Sequence, residues 1–269
     1  MINFNVIPNP ESNIWIVFIH GAGGSIRTWK RQVEALQQHA KLLLLDLRDH
    51  GASEPINPSP SQYDFELISN DIKEVMDHLE IAKAHFITLS LGSVLIQDLS
   101  MRYPTYIGKV VMAGGVFNAN IILKCFIQAA KTLNKILPYA MMYRLCSYIL
   151  MPRKRNQISR KIYQREAQKL TREAYMRWVS LSKYFIKLLK RFFKAKSSFE
   201  NLIIMGGQDY VFLSGARKYA SNQPKSTFIV IPAVGHICNI ESRNVFNGHV
   251  IQFLFDNESV VNSARDKRI

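Results

Sequence analysis

What most constrains this chain is an alternation. Short apolar runs of strand length recur along it, and stretches with helical periodicity lie between them. Ile14–His20 (IWIVFIH) reads as a buried strand, and Leu42–Leu47, His85–Leu89, Ile107–Ala113, Leu202–Met205 and Phe228–Ile231 read as further strands. Ile26–His39, Phe65–Glu80, Leu91–Tyr103, Ser214–Ser221 and Asn244–Phe255 read as helices, with Asp64 placed to cap the second. Arg48–Ser61, rich in proline, reads as a loop, and Asn257–Ile269 as a polar tail. Such an alternation calls for an α/β architecture: a mostly parallel sheet with helices on both faces. In sheets of this kind, chemistry collects on loops at the carboxyl ends of the strands.

The alternation is interrupted once. Phe117–Lys196 holds 19 Lys and Arg against two acids, Glu166 and Glu173, for a net +17, whereas the rest of the chain carries −2. Within it Trp178, Leu181, Phe185, Leu188 and Phe192 follow a 3-4-3-4 spacing, one face of a helix with the lysines off it. The commoner meaning of such a pattern is a helix packed on the main domain, its lysines solvated. The sharper one is a surface that docks on anionic lipid or another polyanion. The 269 residues, 48 % apolar, suit one large domain with an insertion: core 1–116 and 197–269, insertion 117–196.

Several classes are excluded or not expected. With 20 % charged residues the chain is not a disordered one. Cys125, Cys146 and Cys238 have no framework spacing, which argues against a disulfide scaffold or structural zinc and for a reducing cytoplasm. The opening MINFNVIPNPESN has neither a basic nor an apolar signal region, so no secretory signal is expected. Ile121–Met151 is broken by Lys124, Lys131, Lys135 and Arg144, short of the roughly 20 apolar residues a spanning helix needs. The basic block matches no nucleic-acid module, so a nucleic-acid partner is not expected.

Four motifs fall at strand ends. His20-Gly-Ala-Gly-Gly-Ser25 follows the first strand; such a loop points N–H groups into a cleft, and by itself serves a phosphate as well as an oxyanion. It completes neither a dinucleotide nor a P-loop pattern. Asp46-Leu-Arg-Asp-His-Gly-Ala-Ser53 reads as a structural loop, with Asp46 and Arg48 tying its ends and a chemical role for His50 the lesser reading. Thr88-Leu-Ser-Leu-Gly-Ser93 turns a strand directly into a helix around Ser90. A serine there is commonly just an N-cap, but a sharp turn would lift its hydroxyl into the cleft beside the N–H of Leu91.

A serine hydroxyl needs a base, and the base an orienting acid. Downstream of Ser90 the histidines are His236, on a loop after the last strand, and His249, inside a helical pattern. Of the acids between, Asp98 lies two turns down its helix, Glu166 and Glu173 have cations nearby, and Glu200 precedes a strand. Asp209 alone follows a strand's carboxyl end, in GGQD.

On HGAGGS, DLRDHGAS, LSLGS, GGQD and AVGH, in that order, the sequence resembles the α/β-hydrolase superfamily over nearly its whole length. The resemblance implies an eight-stranded, mostly parallel sheet with a helical cap inserted after Gly114. It implies Ser90 as nucleophile, His236 as general base and acid, Asp209 as orienting acid, and the N–H groups of Ala22 and Leu91 as oxyanion hole. Two departures stand out. The elbow has Thr88 where the family has glycine, so a slightly shifted helix is expected, and with only about a dozen residues before Ile14 the sheet is expected to be one strand short. Ser90 argues against relatives with an aspartate nucleophile, and Cys238 is in the wrong loop for one.

The expected function is hydrolysis of a partly apolar carboxylic ester or acyl small molecule through an acyl-enzyme, without metal or organic cofactor. The alternative is a ligand-binding or regulatory protein that keeps the scaffold without catalysis. An anionic membrane surface is the further partner that the basic cap suggests.

Overall fold

A computed structural model describes residues 1–53, 63–133 and 137–265 of the chain. Its centre is a seven-stranded sheet in the order β1-β3-β2-β4-β5-β6-β7. The strands are β1 (Phe4–Ile7), β2 (Trp15–Ile19), β3 (Lys41–Leu45), β4 (Ala84–Leu89), β5 (Ile107–Ala113), β6 (Asn201–Gly206) and β7 (Ser226–Ile231). β1 runs antiparallel to β3, with Phe4 opposite Leu45, and every other pairing is parallel.

The apolar runs are continuous because both faces of the sheet are covered. Side chains alternate across a strand. Val17, Ile19, Leu43, Leu45, Phe86, Val110, Met112 and Ile203 fall in one core. Their neighbours Ile16, Phe18, Leu42, Leu44, Ile87, Val111 and Ile204 fall in the other. The first core is closed by α2 (Phe65–His78), α3 (Gly92–Arg102) and α9 (Leu213–Ser221). The second is closed by α1 (Lys30–Leu36), α10 (Cys238–Glu241) and α11 (Arg243–Arg265). Between β5 and β6 run α4 (Ile121–Leu133), α5 (Tyr139–Leu150), α6 (Gln157–Ala167), α7 (Arg172–Ser180) and α8 (Ser182–Lys194). Among the described residues, no helix is long and apolar enough to cross a membrane.

Local chemistry explains where the elements depart from the sequence expectation. The strand β1 was not foreseen: four residues ahead of Pro8 give too short an alternation to read, and the pairing with β3 makes them a strand. Among the described residues the sheet has seven strands, one short of the eight that the resemblance implies, as the few residues before Ile14 led us to expect. The helix expected from Ile26 starts as a tighter turn, Ile26–Trp29, whose N-cap Ser25 accepts from the Arg27 N–H, before α1 begins. Asp64 caps α2 through the Leu67 N–H as expected. The single stripe from Trp178 to Phe192 is two helices that meet at Leu181, whose N–H bonds back only three residues to the Trp178 carbonyl. Phe185 and Phe192 are buried as expected, while between them Leu189 is fully buried and Leu188 packs against the core only in part. The last helix continues to Arg265 through what reads as a polar tail, since no glycine or proline stops it. Of the loop expected over Arg48–Ser61, 54–62 lie outside the described residues.

Two loops at the carboxyl edge, 20–25 and 46–53, are fastened together by buried polar groups. The Asp46 carboxyl accepts from the Ile26 N–H at 2.8 Å, the Ala52 N–H at 2.9 Å and Asn3 Nδ2 at 2.8 Å. Arg48 does not tie the loop ends as expected; its guanidinium forks onto Asp71 of α2. His20 Nδ1 donates to the Gly21 carbonyl while Nε2 accepts from the Leu47 N–H. His50 Nδ1 donates to the Arg48 carbonyl while Nε2 accepts from the Gly23 N–H. Each ring uses one N–H and one lone pair, the pattern of a neutral imidazole. Burial holds the His20 pKa down to about 4 and that of His50 to about 3.

Two outcomes are expected. Asp46→Ala strands three donors and should cost about 2–4 kcal/mol in urea unfolding. Unfolding frees His20 and His50 to take up protons near their ordinary pKa of about 6.5. Their contribution is therefore complete above about pH 6.5 and is lost as pH falls toward 4, at about 1.4 kcal/mol per pH unit per histidine. Urea midpoints at pH 7 and pH 5 should differ accordingly, and the difference should shrink in His50→Gln.

Candidate active site

Ser90 sits where β4 hands over to α3, with φ +51. That left-handed conformation costs a non-glycine residue on the order of 1 kcal/mol or more, and the surrounding bonds hold it there. The Ser90 N–H donates to the Ala113 carbonyl at the end of β5. The Ser90 carbonyl accepts from the Ser93 N–H at 2.9 Å and Ser93 Oγ at 2.7 Å. The turn also needs α3 close to the sheet: a Cβ at Gly92 would lie 2.6 Å from the Ile19 carbonyl oxygen. Thr88, the departure from the family's elbow, is buried, and its hydroxyl donates to the Val111 carbonyl at 3.2 Å.

His236 reaches Ser90 from the loop after β7. Its Nε2 lies 2.9 Å from Ser90 Oγ, and its Nδ1 lies 2.7 Å from Asp209 Oδ2, just past β6. Donation from Nδ1 to the carboxylate leaves the Nε2 lone pair facing the serine hydroxyl. Asp209 and His236 are 1 % and 3 % exposed, so this chain of contacts is shielded from water. Asp209 Oδ1 accepts from the Phe212 N–H at 3.1 Å, which fixes the carboxylate's rotation. The loop's approach depends on Gly114, at φ +52, where a Cβ would stand 2.5 Å from the His236 carbonyl oxygen.

The other sequence candidates lie elsewhere. Asp98 accepts from Ser69 and pairs with Arg102, away from the serine. Glu200 lies at the opposite end of β6. Burial pushes the Cys238 thiol up to about 12, and its Sγ faces the Ile204 carbonyl, as suits a packed residue. His249 is on α11. Ala22 and Leu91 both wall the cavity beside Ser90. Among the described residues, neither of their N–H groups has an acceptor in the chain.

That cavity, ≈ 190 Å³, is roofed by Leu123, Ile149, Leu150 and Phe185 and closed at the sides by Val116, Phe212 and Ile240. A second cavity of ≈ 200 Å³ shares Ala22, Leu91, Leu123 and Phe185 as walls. The acidic group with a place in the first wall, beside the neutral Cys146 and Tyr163, is Glu166. Assigned to ion pairing by its sequence neighbours, it does pair with Lys169, but it also accepts from Ser25 Oγ at 2.8 Å and so ties α6 to the glycine-rich loop. Two further residues escaped the sequence reading. Glu241 Oε2 accepts from the Gly235 N–H and from Asn156 Nδ2, both at 2.8 Å, and so steadies the histidine loop. No local pattern marks a contact between residues 85 positions apart. Among the described residues, no group of three or more His, Cys, Asp or Glu is arranged to hold a metal ion.

Comparison with known proteins agrees with this architecture. Residues 14–242 match the family profile described as alpha/beta hydrolase fold. The chain is similar to 3-oxoadipate enol-lactonase 2 of Acinetobacter baylyi, 28 % identical over 99 residues, 36 % of each protein. It is similar to 2-hydroxy-6-oxononadienedioate/2-hydroxy-6-oxononatrienedioate hydrolase of Escherichia coli, 31 % identical over 104 residues, 37 % of this chain and 35 % of that one. The chain thus spans about a third of the length of these curated relatives. The crystal structure of the enol-lactonase from Burkholderia xenovorans LB400 superposes with a TM-score of 0.75 at 22 % identity, over 94 % of this chain and 96 % of that one. With the profile spanning most of its length and the fold matching across it, the chain belongs to the α/β-hydrolase fold family.

Proposed function

We propose that this protein is a serine hydrolase that cleaves carboxylic esters, lactones included, by acyl transfer. The observation that carries the reading is the chain of contacts from Asp209 through His236 to Ser90, at 2.7 and 2.9 Å, opening into an apolar cavity. Membership of a hydrolase family and the lactonase and hydrolase names of its relatives support the reaction class.

In this reading Ser90 Oγ attacks the substrate's carbonyl carbon as its proton passes to His236 Nε2. Asp209 holds the ring in place and stabilises the imidazolium. Negative charge develops on the carbonyl oxygen, which the N–H groups of Ala22 and Leu91 receive. Collapse breaks the bond to the leaving alcohol, which takes the proton from Nε2 and departs. Water then repeats the cycle on the acyl-enzyme: its proton goes to Nε2, its oxygen to the carbonyl carbon. The acid is released and Ser90 regains its proton. The helices α4–α8 act as the cap, and Leu123, Ile149, Leu150 and Phe185 favour an apolar acyl or alcohol portion.

The test is hydrolysis of p-nitrophenyl esters from acetyl to palmitoyl. Ser90→Ala should lower kcat at least ~10⁴-fold, with the folded state unchanged by circular dichroism. Asp209→Asn should lower kcat by about 10²–10⁴-fold through the wrong imidazole tautomer, with a smaller effect on KM. Turnover that survives Ser90→Ala would refute the mechanism, and no turnover at any chain length would favour a binding protein on this scaffold.

A further inference from the structure

The helix α5, YAMMYRLCSYIL, is apolar on both faces and carries one charge, Arg144. Its inner face is accounted for: Met142, Tyr143 and Cys146 are buried, and Ile149 and Leu150 wall the cavity over Ser90. Its outer face is not. Met141, Leu145 and Tyr148 follow at i, i+4 and i+7, on one stripe, and are 54 %, 44 % and 47 % exposed. A helix that is apolar all round ordinarily belongs in an interior. Nor is the stripe isolated. Eight of the twelve large hydrophobic side chains exposed among the described residues lie between Ile121 and Tyr184, which include Ile121, Ile158 and Met176.

The electrostatics of the same helices are one-sided. Among the cations between Phe117 and Lys196 whose side chains are described, only Arg165, Lys169 and Arg177 have a carboxylate partner among the described residues. Soluble surfaces ordinarily intersperse both signs. Here one acid of the block, Glu166, is buried and spent on its own ion pairs. The cations also stand beside the apolar stripe. Arg144 walls the same groove as Met141, Leu145 and Tyr148, and Arg160 lies 4.8 Å over the Tyr148 ring. The groove's far wall is α6, through Gln164 and Gln168, and the exposed Lys161 lies on that same face, three residues before Gln164.

We infer that the α5–α6 face docks on an anionic lipid surface, with Met141, Leu145 and Tyr148 entering the headgroup–acyl boundary and Arg144 and Lys161 meeting lipid phosphates. Basic residues framing an apolar face are what an interfacial helix requires. A nucleic acid would satisfy the cations and leave the stripe wet. A second copy of the chain would cover the stripe while bringing two +17 blocks together, against their mutual repulsion. Docking in this pose lays the outer side of α5 on the lipid while its inner side walls the cavity, so an apolar molecule leaving the surface has a short path inward.

The inference does not depend on the proposed catalysis, because its test reads binding. Wild-type protein is spun with vesicles of phosphatidylcholine alone and of phosphatidylcholine mixed with phosphatidylglycerol. It should pellet with the mixed vesicles only, and less as salt is raised. The combined variant Met141→Ser, Leu145→Ser, Tyr148→Ser should weaken binding at least about tenfold, because these side chains enter the acyl boundary. Arg144→Gln with Lys161→Gln should weaken it about thirtyfold. Thermal melts confirm that each variant is folded. Equal binding to neutral vesicles, or none to either, overturns the inference. So does RNA binding with vesicle binding that the serine variant leaves intact, or a dimer that the serine variant dissolves without any vesicle binding.

Discussion

The site depends on one turn in the backbone. Ser90 is held at φ +51 between β4 and α3, and only that conformation lifts its hydroxyl off the strand's end toward the histidine loop. A serine has no intrinsic preference for it, so the cost falls on the neighbours. The Ala113 carbonyl takes its N–H, Ser93 takes its carbonyl, and the missing side chain at Gly92 lets the helix settle against β2. Each partner stands on a different strand or on the helix, so the turn exists only when the parallel sheet is assembled. The same assembly brings Asp209 and His236, 119 and 146 residues after Ser90 in the chain, to the same edge.

A second set of polar contacts joins the inserted helices to that edge. Arg177 forks onto Asp49 at 2.7 and 2.9 Å, and Trp178 Nε1 donates to the Arg48 carbonyl. Trp178 also packs edge-on against His50, which helps bury that ring and keep it neutral. Glu166 reaches Ser25 on the glycine-rich loop, and Asn156 reaches Glu241 beside the histidine loop. Three short segments of the insertion thereby fix the loops that border Ser90. Among the described residues, the cations of the same helices other than Arg165, Lys169 and Arg177 have no carboxylate partner. Inner faces wall the cavity, while the outer faces are mostly cationic, with Glu173 an exposed acid among them.

Much of this was legible in the sequence, for identifiable reasons. Strands buried on both faces produce continuous apolar runs, so β5 was readable at its observed bounds and most of the others to within a residue or two. Ser90, Asp209 and His236 could be found because each follows a strand, and strand ends in a parallel sheet share an edge. What stayed hidden was set by contacts distant in sequence. The edge strand β1 gains its identity from β3. Glu166 looked like half of a surface ion pair because its tie to Ser25 spans 141 residues. Arg48 looked like a loop fastener because Asp71 belongs to another element. The break at Leu181 arose from a local tightening that leaves the 3-4-3-4 pattern intact up to Phe185.

The central claim is that the fold, and not the serine alone, makes Ser90 a nucleophile. It is tested most directly by reaction with a fluorophosphonate, followed by intact-mass and peptide analysis of native and urea-unfolded protein. The account predicts one adduct per native chain, on the peptide containing Ser90, with no adduct after unfolding. A native chain that stays unmodified, or an adduct on another serine such as Ser25 or Ser93, would contradict it.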